Sequence, residues 1–283
     1  MMKKILLSLF VIALTVSVNA QVRTPALSPG STLKRRVGLT DVTIDYSRPS
    51  MRGRTIFGGL VPYGKMWRTG ANSRTKVTFS TDVTIGGSDL KAGTYAIFTK
   101  PQATKWEVYF YTEHKGAEAP QKWDDAKVAA KVTVDVIPMN MDIQSFTISI
   151  DDVTNTSAVI GMLWEKSYVG IKFEVDTDKG VMVSIAKVLK GPSANDYYAA
   201  ASYYLAAGKD IRKAKSWVEL AIEMNVKTPR FWMYRTQSLI YAKAGNKKAA
   251  IDAARISLDL STKAKNAAFV KMNETSLKEW GAK

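Results

Sequence analysis

Between Val42 and Val175, apolar residues recur at every second position in short runs separated by turn residues. That period lets a chain bury one face of a pleated sheet and solvate the other, and it leaves no continuous stripe for a helix to bury. The runs begin with Val42, Ile44 and Tyr46, then Val77 and Phe79, then Val83 and Ile85. Gly86-Gly87 closes a turn, and LKAGTYAIF leads into a strand that Pro101 ends. Trp106, Val108 and Phe110 share one face of the next strand, with Glu107, Tyr109 and Tyr111 on the other. Val128, Ala130, Val132, Val134 and Val136 form the longest alternating run, followed by Phe146, Ile148 and Ile150, by SAVIGMLW, and by Val169, Ile171, Phe173 and Val175. Roughly eight or nine strands with no helix between them predict an antiparallel sandwich or a partly closed barrel over residues 21–175.

At Asp176 the alternation stops and the chain fills with Ala, Lys and paired aromatics, so residues 176–283 read as a helical region. A first helix over 177–189 meets the stop signal Gly191-Pro192, after which Ser193 or Asn195 caps the next. Two helical hairpins follow, turning at Gly208-Lys209-Asp210 and at Gly245-Asn246, with a closing helix over 263–280. Ala214 and Ala250 stand at equivalent places in the two hairpins, a spacing close to the roughly 34 residues of a tetratricopeptide repeat. The expectation is a tetratricopeptide-like, protein-contact region.

One stretch fits neither period. Residues 46–75 read YSRPSMRGRTIFGGLVPYGKMWRTGANSRT, where Pro49, Gly53, Gly58, Gly59, Pro62, Gly64 and Gly70 break the backbone every few residues. A loop of this length inside a compact domain is uncommon and often functional. YSRPSMRGR, IFGGLVPYGKMWRTGAN and LKAGTYAIF resemble domain of unknown function family 2911, a family of uncharacterised secreted Bacteroidetes proteins, over residues 25–175. The resemblance implies export and brings no activity with it.

The N-terminus supports export by itself. Lys3 and Lys4 precede an apolar run from Ile5 to Val18, and Val18-Asn19-Ala20 places small residues where a signal peptidase cuts. Residues 1–20 are thus expected to be a signal peptide, leaving a periplasmic or secreted protein without a transmembrane segment. Removing Lys3 and Lys4 from the 41 Lys and Arg leaves 39 against 25 Asp and Glu, a formal +14. From Lys190 onward, 17 basic residues face 8 acidic ones, but the lysines are scattered as on a solvated helical surface, and no nucleic-acid partner is expected.

The chemistry the chain can perform is narrow. His114 is its one histidine and it has no cysteine, which removes His/Cys metal sites and thiolate chemistry. No Gly-x-Ser-x-Gly motif accompanies His114 and no phosphate-cradling glycine loop exists, so no cofactor and no catalytic residue is assigned. The acid pairs Asp124-Asp125, Asp151-Asp152 and Asp176-x-Asp178 sit at element boundaries, where Asp serves as cap or turn former. What remains is the long loop, with Arg48, Arg52, Arg54, Arg68 and Arg74 beside Tyr63, Trp67 and Asn72. Guanidinium forks there can receive carboxylate, phosphate or sulfate, or can staple the loop by bonding its carbonyls and pairing with Glu165. Arg68, Trp67, Asn72, Tyr63 and Arg52 are the candidate contacts for an anionic small molecule or glycan. Arg48 and Arg54, with Glu165, are the candidate staples. A non-enzymatic binding or scaffold protein is the first expectation, and a hydrolase or lyase acting on an anionic glycan through Arg, Tyr and carboxylates is the alternative.

Overall fold

The computed structural model describes residues 24–189 and 191–282, so the signal-peptide expectation lies outside the described residues. Two compact units make up the chain, one ending at Thr177 and the other beginning at Asp178.

The first unit is built from β1 (Gly30–Val37), β2 (Thr40–Ser47), β3 (Lys76–Phe79), β4 (Val83–Ile85), β5 (Ser88–Leu90), β6 (Gly93–Pro101), β7 (Lys105–Tyr111), β8 (Val128–Asp135), β9 (Ile137–Asp151) and β10 (Ser157–Val175). They form two antiparallel sheets, ordered β1-β2-β3-β6-β7-β8 and β5-β4-β10-β9, that do not close into a barrel. Val42, Ile44, Val77, Trp106, Val108 and Phe110 of the first sheet meet Phe146, Ile148, Ile160, Ile171 and Phe173 of the second in one buried core. Gly86 and Gly87, with φ of 57° and 80°, form the two-residue turn between β4 and β5, the geometry that right-twisted hairpin strands require.

Three details differ from the expectation. β1 escapes the pattern because its GSTLKRRV sequence belongs to an edge strand exposed along most of its length. SAVIGMLW and the run ending at Val175 are one strand, β10, whose pairing with β9 shifts register on either side of Glu165. Glu165 takes φ of 53°, and the irregularity lets one long strand keep apolar residues inward on both sides of it. In β8 a similar shift skips Ala129, so Val128 packs on the outer face of the sheet while Ala130 stays inside.

The helices are α1 (Thr177–Val188), whose first residue is the last of the first unit, and, within the second unit, α2 (Ala194–Ala206), α3 (Ile211–Met224), α4 (Phe231–Lys243), α5 (Lys247–Lys263) and α6 (Ala267–Glu279). Capping explains the starts. Ser193 forms a reciprocal capping box with Asp196, and Asp210, Asn246 and Asn266 each accept a backbone N–H of the first turn. Ala201, Ala214, Val218, Ala250 and Ala254 are fully buried, small enough for neighbouring helices to approach closely.

Candidate functional site

Tyr46 and Ser47 end β2, so the irregular segment is 48–75 rather than 46–75. Burial holds it down: Ile56, Phe57 and Val61 are at most 6% exposed and join the sandwich core. Each such side chain contributes roughly 1.5–3 kcal/mol by leaving water, enough to order a loop that lacks a ladder. Trp67 exchanges two backbone hydrogen bonds with Thr99, lying along β6 where β3 has ended. Its ring stacks on Trp164 at 5.8 Å and meets Phe57, Trp106 and Phe146 edge-on.

The arginines divide by their partners. Arg48 donates Nε to the Phe146 carbonyl at 3.2 Å and Nη2 to Thr147 Oγ1 at 2.8 Å, clamping the loop to β9. Arg74, 7% exposed, donates to the Glu118 and Glu113 carbonyls at 2.8 Å each and lies 5.4 Å from the Phe98 ring centroid. It is the deepest staple of the loop, and the partners that define it lie some forty residues away, out of reach of any local motif. Arg54 bonds only its own turn, through Met51 O at 2.9 Å and Ser50 O at 2.8 Å. Glu165, expected beside Arg48 and Arg54, instead accepts the Ile56 and Phe57 N–H groups at 3.1 and 3.2 Å. A kinked strand that aims a carboxylate at two adjacent donors satisfies groups no ladder would reach.

Beside these staples lies a cavity of 320 Å³ whose lining includes Arg52, Arg54, Arg68, Trp67, Trp164 and Leu60. Its volume stands near the lower end of the roughly 300–1,000 Å³ seen for small-molecule sites. Arg52 commits one N–H to the Leu27 carbonyl at 2.8 Å. Arg68 Nη1 pairs with Glu118, whose side chain is 72% exposed, while Arg68 Nε is buried with no acceptor. With about five N–H donors per guanidinium, most of the donor capacity around the cavity is uncommitted. All the formally charged side chains in the lining are arginines, and with Glu118 counted against Arg68 the balance is still positive, so the cavity is cationic.

Of the contacts expected from the sequence, Arg68, Trp67 and Arg52 come together here, joined by Arg54. Asn72 and Tyr63 stand outside the lining. Asn72, at φ of 58°, ties the loop to the Ser28 carbonyl at 3.0 Å, and Tyr63 is 47% exposed with its ring against Gly58. Asn is among the side chains that best tolerate a left-handed backbone, and a Cβ at Gly58 would crowd the Tyr63 ring.

The first unit is therefore an open antiparallel β-sandwich carrying a plugged, arginine-stapled loop over a small cationic cavity. The model of the family described as protein of unknown function (DUF2911) matches residues 28–173, slightly more than half of the 283-residue chain. The chain belongs to that family. Neither a curated protein nor a solved structure matches it.

Proposed function

We propose that this is an exported, non-catalytic receptor whose β-sandwich holds a compact anion in the cavity beside loop 48–75, with the helices as a tetratricopeptide-like protein-contact module. The observation that carries the reading is the cavity's lining: three guanidiniums, two indole rings and no carboxylate, with Arg68 Nε buried and unbonded. Fixed cations with spare donors suit a carboxylate, phosphate or sulfate, and the indoles suit the apolar face of the group that bears it. General acid–base chemistry needs a group that gives or takes a proton near neutral pH, and arginine does not. Binding is accordingly favoured over glycan hydrolysis or elimination. Export rests on the leader-like residues 1–20, and the helical reading rests on buried Ala214 and Ala250 at matching places in successive hairpins.

The test is calorimetric titration of the chain with sulfate, phosphate and galacturonate, beside Arg68→Ala. At least one anion should bind, with affinity that falls as salt rises and falls about tenfold or more in Arg68→Ala, the share of a hydrogen bond to a charged group. Unchanged binding in that variant, or no binding by any of the three, refutes the reading.

A further inference from the structure

A second cavity, of 670 Å³, opens on the outer face of the six-stranded sheet and shares no lining residue with the first. Its apolar wall is Tyr109 and Trp123, with rings 5.3 Å apart, together with Met66 and Val128. Val128 reaches this face because the bulge at Ala129 turns it away from the core, and bulges recur where a sheet must present side chains to a ligand. Its polar wall is Lys100, Lys131 and Asp125. Behind the two ammonium groups stands the Glu107 carboxylate, 3.7 Å from Lys100 and paired with Lys131, and it also accepts the Tyr109 hydroxyl proton at 3.0 Å.

The charges therefore cancel: two lysines stand against Glu107 and Asp125. An ion of either sign would lose its hydration shell here and meet no net opposite charge in return. A neutral ligand would not. The site instead presents the part-exposed Trp123 ring on one side, since Tyr109 is 8% exposed with Lys131 Nζ 5.2 Å from its ring centroid, and a mixed set of donors and acceptors around it. A pyranose ring matches that division, with C–H groups over its faces and hydroxyls that both donate and accept around its rim. We propose that this cleft binds a neutral hexose unit, independently of the anion cavity. Its volume, about twice that of the arginine-lined cavity, leaves room for more than one ring.

Saturation-transfer NMR on the full chain tests this, with methyl β-glucoside, methyl β-galactoside and cellobiose as probes and glucuronate as the charged comparison. At least one neutral probe should bind with a Kd on the order of 1 mM, and its ring C–H protons should receive the strongest transfer. Trp123→Ala should abolish that signal. Because Trp123 also packs on Phe98 and Tyr111, the substitutions Lys100→Met, at a part-exposed side chain, and Asp125→Asn, which keeps the oxygen that accepts the Trp123 Nε1–H at 2.9 Å, are measured in parallel, each expected to weaken binding about fivefold or more with an unchanged melting curve. Arg68→Ala should have no effect. The proposal is overturned if no neutral probe shows saturable transfer, if binding survives both Lys100→Met and Asp125→Asn, or if glucuronate competes at this cleft more tightly than glucoside.

Discussion

Arg74→Ala separates a structural arginine from a ligand-binding one. Removing the guanidinium strands two carbonyl oxygens, at Glu113 and Glu118, ends its contact with the Phe98 ring, and breaks a 3.4 Å ion pair with a Glu113 carboxylate that Lys127 still neutralises. Both carbonyls belong to residues with exposed side chains, so water recovers part of the loss, and each lost bond is worth about 1 kcal/mol rather than a full burial penalty. The ring contact, beside a side chain only 7% exposed, adds about 1 kcal/mol more. A total of ~3 kcal/mol in a unit of this size corresponds to a drop in Tm of about 6–12 °C. Arg68→Ala breaks an ion pair whose partner is 72% exposed, which is worth at most about 1 kcal/mol. Thermal melts of both variants at neutral pH, followed by near-UV circular dichroism, make the comparison. Should Arg74→Ala melt within about 2 °C of wild type, or Arg68→Ala fall as far as Arg74→Ala, this division of the arginines is wrong.

Gly38→Ala should be among the most damaging single changes in the sandwich, because a Cβ there would overlap Thr177 Oγ1 and the Asn155 carbonyl at a φ of 56°; a urea titration showing a loss under about 1 kcal/mol would contradict the packing. Glu165→Gln keeps the shape but leaves one oxygen to serve two N–H donors, so about 1–2 kcal/mol should be lost, with limited proteolysis reporting earlier cleavage within 54–60. Burial and the hydrogen bond to Glu219 push the Tyr241 hydroxyl up to about 12 from its ordinary 10.0. The folded form thus holds its proton where the unfolded chain releases it, so this stabilisation is complete below pH 10 and is lost as pH rises from there toward 12. Helical circular dichroism of Tyr241→Phe should lack that alkaline component, and identical alkaline profiles for the two proteins would refute the assignment.

The sequence by itself determined the elements whose burial follows a local period. Trp106, Val108 and Phe110 face the core and Tyr109 and Tyr111 the outer cluster because side chains alternate across any strand, whatever it pairs with. The helix start at Ser193 was legible to within two residues, as Ser193 or Asn195, and the turn Gly208-Lys209-Asp210 marked where the next helix begins, since a cap acts within one turn of its own chain. β1 was not legible, because an edge strand exposed along its length carries no alternation to read. Nor was the join within β10, where a turn-like irregularity at Glu165 interrupts the pattern but not the strand. Composition marked the loop as arginine-rich, but each arginine's task came from atoms distant in the chain. Phe146 O for Arg48, Leu27 O for Arg52 and Glu118 O for Arg74 lie 98, 25 and 44 positions away. Hydrogen-bond assignment is a matter of a few ångströms in space, and only the packing of the two sheets decides which carbonyls arrive there. The same holds for the outer cleft: Lys100, Tyr109, Trp123 and Lys131 have no spacing that announces them, and it is strand register plus the Ala129 bulge that brings them to one surface.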